Sequence, residues 1–483
     1  MASKHLSNTL LYTISSSLPT ATALAILPFS INLLNLAQNG MLAILLAATG
    51  LFQIIITGGT DSYVSIESSR MHAGGTSLTA LLKTTLRLQA LVALILGILL
   101  AIAVPAFYDF YSALSGDNIG IMVALALLTA FLNSVFKTYT ASLIGQSKAS
   151  AHATFNLMVA VSLVAATMVC SYSMDDKLLA LVLARTISSV VGFLIVLVRA
   201  PLFNVQPSPA IRPSVIWEFS WPITILLLLL WVSSFADRFI VDWLKNSEEV
   251  ALLDLSAKFV LILDIVQQAM SNAIVPLVYG KDNNEAHHKK IHLLFSAFTL
   301  ATVLLALLIN LCAPLAISLL IHHPKYAYSG QLIGLLSIGM LFRPLYYFYV
   351  FAFYAQKKVR PLAWLFLAPT LFQFLLTVAA TKYWGLPGAA IAFSVGRIAQ
   401  VVVLHTQQSK HVSVPSFNTT KFLGLPVFAV LVCAAGEYFI FQNAPLYLVR
   451  ALELTIVLVA IGWVYRAQWP TLKTTIAMRK KNT

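Results

Sequence analysis

The chain has 483 residues, of which 59% are apolar and only 10% are charged. One soluble core cannot absorb so much hydrocarbon, so a water-soluble globular protein is excluded and lipid must solvate the exterior. The formal net charge is +14, but the basic residues are scattered over many short polar gaps instead of one aromatic-studded patch, which argues against a nucleic-acid interface.

About fourteen apolar stretches of roughly 18 to 27 residues follow one another, each long enough to cross the hydrocarbon as a helix. In chain order they are 9–34, 41–58, 84–105, 119–140, 155–172, 178–198, 219–236, 251–277, 291–311, 332–354, 362–380, 386–404, 422–440 and 447–464. Transmembrane strands would alternate polar and apolar residues, whereas a run such as 223–231 is apolar on every face. The expected class is therefore an all-α polytopic membrane protein. Ala21-Thr22-Ala23 has a small-x-small pattern, but the first span continues through it and is read as retained. Cys170, Cys312 and Cys433 lie in or at the ends of spans with no close pair, and they read as packing residues. No cofactor or metal is expected; His287-His288 sits in a polar stretch without a defined ligand set.

Lys and Arg accumulate in loops that stay in the cytoplasm. With the N-terminus inside, Lys4, Arg70, Lys148, Arg199, Arg212, Lys281, Lys289, Lys290, Lys357, Lys358, Arg360, Lys410, Lys421 and the tail with Lys473, Arg479, Lys480 and Lys481 all fall on the cytoplasmic side. The opposite side keeps mainly Lys177, Lys245, Lys325 and Lys382. Both termini are thus expected in the cytoplasm, with anionic phospholipids as partners of the basic loops.

An offset of about 209 residues brings Gly145-Gln146-Ser147-Lys148 after the fourth span close to Ala355-Gln356-Lys357-Lys358 after the tenth. An offset of about 212 places Arg185 in the sixth span on Arg397 in the twelfth. Because the offset spans six helices, the halves have the same orientation, predicting two parallel six-helix lobes with a cleft between them. The expected division is 1–199 for the N-lobe, 200–217 for a proline-rich linker, 218–405 for the C-lobe and 406–483 for an appended helix pair with a basic tail.

The stretches Ala236-Asp237-Arg238-Phe239-Ile240, Ala257-Lys258 and Ala273-Ile274-Val275-Pro276, with the Gln356-Lys357-Lys358 loop and Trp384-Gly385-Leu386-Pro387-Gly388, carry a resemblance. The chain resembles the polysaccharide flippases of the O-antigen translocase type, within the multidrug, oligosaccharidyl-lipid and polysaccharide exporter superfamily. The first half departs from the pattern, with Met174-Asp175-Asp176-Lys177 where the second has its Gly-rich turn. The resemblance implies a transporter of the inner (plasma) membrane that moves a polyprenyl-diphosphate-linked oligosaccharide from the inner to the outer leaflet by alternating access, for surface polysaccharide or lipopolysaccharide assembly. It further implies polysaccharide polymerase and chain-length proteins as partners. The alternatives are a drug exporter of the same superfamily, which would need an acid-dominated cavity, and an intramembrane sugar polymerase or ligase, for which no long outer loop is present.

Ionisable groups inside spans are costly and mark paths or partners. Arg343, followed by Pro344 in the tenth span, is too far from either interface to snorkel, and it faces either the cleft or a fixed anion. With Arg185, Arg397 and Lys258 it would make a cationic lumen suited to a diphosphate. Asp264 is either an ion-coupling site or the neutraliser of an arginine. Asp254 and Lys258, spaced i,i+4, read as an intrahelical pair, as do Arg450 and Glu453 at i,i+3. Asp237-Arg238 reads as a gate or as an interfacial anchor, Arg87 and Lys137 as snorkelling cations, and Tyr346-Tyr347-Phe348-Tyr349 as core or as a sugar-stacking surface.

The charge asymmetry makes a topological prediction. In a chain lacking its native cysteines, Asn283→Cys is expected to stay unreactive toward an impermeant thiol reagent in intact cells. Labelling at that position would invert the assignment.

Overall fold

A computed structural model describes residues 2–71, 78–115, 118–200, 212–278, 285–356, 358–412 and 419–465. The helices are α1 (Ala2–Ala25), α2 (Leu27–Leu33), α3 (Leu36–Thr57), α4 (Thr60–Met71), α5 (Leu78–Ser115), α6 (Ile119–Gly145), α7 (Ala149–Ser173) and α8 (Lys177–Arg199). They continue as α9 (Pro213–Leu244), α10 (Ser247–Val278), α11 (Glu285–Leu320), α12 (Ala327–Ile338), α13 (Arg343–Ala355), α14 (Val359–Gln407), α15 (Thr419–Phe441) and α16 (Leu446–Tyr465).

Every expected span coincides with a helix. Eleven helical segments among the described residues are long and apolar enough to cross a membrane. One of them, α14, contains a non-helical residue at Gly385 (φ 63°) and is therefore two spans joined at a bend. The charged α10 and the short α16 bring the crossings to fourteen, and the chain is an all-α, multi-pass membrane protein. Pro28 interrupts the first span between α1 and α2. The segment placed in the linker is helical from Pro213 onward, and the prolines at 201, 207 and 209 lie outside the described residues. Likewise α11 begins at Glu285, inside the stretch read as a polar loop, and the side chains of 285–292, including His287 and His288, are not among those described.

Burial separates the lipid-facing helices from the central ones. Only 6% of the apolar window of α5 is buried, with Ile98, Leu99 and Ile102 exposed, whereas 89% of the tenth span is enclosed. The exposed apolar rim is what lipid solvates. The enclosed span is the one that carries Arg343.

That tenth span is broken. Between α12 and α13 lies a 3-10 turn, Gly339–Phe342. Pro344 has no N–H for the carbonyl of Met340, and this carbonyl instead accepts a 2.9 Å hydrogen bond from Gln267 Nε2 of α10. Ser394 of α14 accepts from the Gly339 N–H at 3.0 Å and donates to the Leu335 carbonyl. Neighbouring helices therefore satisfy the freed backbone groups, which is the condition for a broken helix at membrane depth.

The N-terminal helices pack mainly around α6 and α8, the C-terminal ones around α10, α12 and α14, and α3 joins the two sets by lying along α9 and α10. Its start is set by a capping box between Asn35 and Gln38. At that end Gly40 is pressed against the α10 terminus, where an added Cβ would lie 1.7 Å from the Ser247 carbonyl oxygen. The Asn32 side chain bridges to Leu320 and His322 on the same side, and Lys325 pairs with Glu248 at 2.7 Å. At mid-depth Trp231 Nε1 donates to the Ala47 carbonyl at 3.1 Å. The far end turns at Gly58 and Gly59, both with positive φ, and Gly59 rests against the Ser220 backbone of α9.

The Gly40 contact yields a signed prediction. Gly→Ala in a helix normally stabilises by up to about 1 kcal/mol, and Gly424→Ala, with nothing within 4 Å of its Cβ, should follow that rule. Gly40→Ala should instead destabilise by about 1–3 kcal/mol through overpacking, read as a lower melting temperature in detergent. Parallel stabilisation of both variants would contradict the contact.

Candidate functional site

The i, i+4 and i+7 spacings of a helix place Asp254, Lys258 and Leu261 on one stripe of α10, and Asp264 extends it. That stripe forms one wall of a cavity of about 280 Å³, closed by Ala43, Leu46 and Ala47 of α3, Ser234, Asp237 and Arg238 of α9, Met340 of the broken span, and Phe393 and Arg397 of α14. The cavity thus lies where the N-terminal helix α3 covers the C-terminal set. Its volume is just below the usual range for drug-sized ligands. An oligosaccharide enters only if α3 and the helices facing it move apart.

Most of the charges lining the cavity are paired. Arg238 donates from Nε to Asp254 Oδ1 at 2.8 Å and from Nη1 to Asp237 Oδ1 at 3.0 Å. Lys258 Nζ takes the other Asp254 oxygen at 2.7 Å. Arg343 reaches Asp264 Oδ1 from Nη2 at 2.9 Å, and its guanidinium lies over Tyr346 at 4.3 Å and Tyr347 at 5.2 Å. Three cations, Arg238, Lys258 and Arg343, therefore take up the three carboxylates.

The remaining cation is Arg397. Its Nη2 donates to Ser234 Oγ at 2.6 Å, its Nη1 lies 3.5 Å from Gln400 Oε1, and its guanidinium sits 5.0 Å from the Phe393 ring. Among the described residues no carboxylate is within ion-pair distance of it, and its Nε is buried without a hydrogen-bond partner. Arg343 Nη1 is unpartnered in the same way. A polar layer of Ser233, Gln373 and Gln400 holds this region: Gln400 Nε2 donates to Ser233 Oγ at 2.7 Å and Gln373 Nε2 to the Ser233 carbonyl at 2.7 Å. Each of the two guanidinium groups thus keeps one buried N–H donor unused.

The structure thus brings Arg397, Lys258, Asp237, Arg238 and Asp264 to one cavity, with Arg343 joined through Asp264. Arg185, on α8, lies outside the lining set and donates to its own helix, to the Leu181 carbonyl at 3.1 Å. The Asp237-Arg238 pair is buried two turns inside α9 instead of anchoring its end. Read alone, the two charges end the span; paired with Asp254 they permit the helix to continue to Leu244. Lys137, read as snorkelling, reaches Asp61 of α4 at 3.0 Å with its side chain half exposed. The tyrosine run is buried core, with Tyr346 and Tyr347 serving Arg343. Ser234, Gln400 and Phe393 escaped the sequence reading, although each lies three or four residues from Arg238 or Arg397 along the same helix.

A family model described as polysaccharide biosynthesis protein matches residues 5–279, more than half of the chain. The chain belongs to that family. Several solved structures share the fold of this polysaccharide biosynthesis protein. The lipid II flippase MurJ in an inward closed conformation aligns over 95% of this chain and 99% of its own, with a TM-score of 0.70 at 13% identity. A MOP superfamily transporter from Pyrococcus furiosus aligns over 83% and 94%, with a TM-score of 0.57 at 15% identity. MATE in complex with MaL6 aligns over 83% and 95%, with a TM-score of 0.55 at 16% identity. The family member therefore has the transporter fold of the MOP superfamily. No curated protein matches it by sequence.

Asp254 is the carboxylate on which two cations converge, so its loss leaves buried positive charge uncompensated. Asp254→Asn is expected to destabilise the protein by about 3 kcal/mol or more, measured as thermal unfolding in detergent. Asp254→Glu should recover part of that loss. An unchanged melting curve for Asp254→Asn would mean that the network carries no stability.

Proposed function

We propose that this protein is a flippase that carries a polyprenyl-diphosphate-linked oligosaccharide from the inner to the outer leaflet of the cell inner membrane, for surface polysaccharide or lipopolysaccharide assembly. The observation that carries the reading is the excess of cations over carboxylates at the cavity, where Arg397 lines the wall with an unused Nε donor and Arg343, held by Asp264, keeps an unused Nη1. A diphosphate offers several oxygens and the charge that site needs. Lys258 and Arg238 supply further positive field while Asp254 and Asp237 keep them in place. Asp264 acts in this scheme as counter-ion of Arg343, oriented to be displaced when phosphate arrives.

Translocation then follows from alternating access, with residues 1–199 and 218–405 moving as two lobes about the α3 contacts. The apolar prenyl chain stays in lipid while the headgroup crosses through the cavity. Membership in a polysaccharide biosynthesis family and the likeness to a lipid II flippase support the lipid-linked substrate class. Cytoplasmic termini, anionic phospholipids at the basic loops, and polymerase and chain-length proteins as partners complete the proposal. A drug exporter needs a carboxylate free for a cationic substrate, and each of the three here is already engaged.

Loss of one charge-assisted contact of roughly 1.5 to 3 kcal/mol weakens binding by about ten- to a hundredfold. Arg397→Ala and Arg343→Ala are expected to reach the membrane at normal level and to lose surface glycan. Arg343→Lys should retain more activity than Ala, because it keeps the charge and loses the planar fork. Asp264→Asn, which frees Arg343, should bind the lipid-linked substrate at least as tightly as the parent. Normal glycan export in well-expressed Arg397→Ala and Arg343→Ala proteins would overturn the diphosphate site.

A further inference from the structure

Outside the cavity, the appended helices α15 and α16 hold a second ionic cluster that the transport reading does not use. Glu437, Arg450 and Glu453 are 3%, 1% and 2% exposed. Arg450 donates from Nη2 to Glu437 Oε1 at 2.6 Å, and from Nη1 to both Glu453 oxygens at 3.0 and 3.2 Å. Two carboxyls thus share one guanidinium. The distribution is unequal: both Glu453 oxygens are satisfied, whereas Glu437 Oε2 is buried with no hydrogen-bond partner.

Among the described residues no second cation is paired with these carboxylates. The elements packed most closely on α15 and α16 are α11, α12 and the 3-10 turn, and neither α12, the turn nor α11 from Leu293 to Leu320 contains an Asp, Glu, Lys, Arg or His. Their titratable groups are Tyr328 of α12 and Cys312 of α11, and Cys433 of α15 lies beside the three; a phenol or a thiol supplies no positive charge. The walls are tight: an added Cβ at Gly334 of α12 would lie 1.7 Å from Glu437 Oε1, and one at Gly436 would lie 1.8 Å from Glu453 Oε1. A metal cation would need several convergent oxygens, and one free carboxylate oxygen does not provide them. An uncompensated charge in apolar surroundings is strongly disfavoured, and the smallest group that removes it is a proton.

We propose that Glu437–Arg450–Glu453 is a proton-binding site, with one exchangeable proton carried on the Glu437 carboxyl. An apolar groove of about 550 Å³ between α15 and α16 reaches from Ala444 and Pro445 in their connecting turn to Glu453, the member of the cluster that touches it. Release of the proton leaves a negative charge directly against the Gly334 backbone. Gly334 lies five residues before the 3-10 turn that leads into Arg343, so proton occupancy biases the broken span that carries the anion-binding arginine. This second step rests on the flippase reading; the proton site itself does not.

Infrared difference spectroscopy on the full-length protein in lipid tests the site without transport. The parent is expected to show a protonated-carboxyl stretch equivalent to one proton per chain. Glu437→Gln should abolish it, and so should Glu453→Gln, because either variant leaves one carboxylate balanced by Arg450. Glu67→Gln, at an exposed ion pair with Arg70, should leave it in place. Persistence of the band in both Glu437→Gln and Glu453→Gln, or its absence from the parent, would overturn the proton site. Translocation of a lipid-linked oligosaccharide into proteoliposomes under an imposed pH gradient then tests the linkage. Loss of gradient dependence in Glu437→Gln supports it. Full dependence with the band gone would reject the linkage and leave the site standing, and an inactive parent would reject the flippase reading alone.

Discussion

A charge in the membrane interior must find its counter-charge inside the protein, and much of this structure is arranged around that requirement. The tenth span is 89% enclosed, and the Arg343 side chain on it is only 11% exposed. It meets Asp264 because α10 presents a polar stripe to it, and that stripe is available because the same helix also holds Asp254 for Arg238 and Lys258. Removing water raises the cost of each unpaired group and strengthens each pair. The cluster is consequently both a structural brace and a chemical site.

Backbone breaks follow the same rule. Pro344 and the 3-10 turn before it free carbonyls that hydrocarbon cannot satisfy, and Gln267 and Ser394 are the side chains that engage the broken segment. These hydrogen bonds tie the broken span to α10 and α14, the helices that bear Asp264 and Arg397. The break is therefore tied by hydrogen bonds to two helices that line the cavity. Gly40 and Gly59, at opposite ends of α3, allow backbone contact on either side of this cavity.

The two ionic clusters differ in the sign of their imbalance. Around the cavity the cations exceed the carboxylates, with Arg397 served by Ser234, Gln400 and an aromatic face instead of an acid. Between α15 and α16 the carboxylates exceed the cation. An excess positive charge beside an opening attracts an anionic headgroup. An excess negative one sealed against Gly334 attracts a proton. The two imbalances are thus of opposite sign.

The sequence by itself determined the class and the fourteen helices, because hydrophobic length and helical period are local properties of a chain in lipid. Pairs within one helix were legible for the same reason: Asp254 with Lys258, and Arg450 with Glu453. The cross-helix partners were decided by tertiary structure. Several cations compete for each carboxylate, and the outcome depends on helix rotation and depth, which no spacing encodes. Packing gave Asp264 to Arg343, let Asp237 and Arg238 continue α9, left Arg397 without an acid and Arg185 outside the cavity, and brought Glu437 to a pair that already seemed complete.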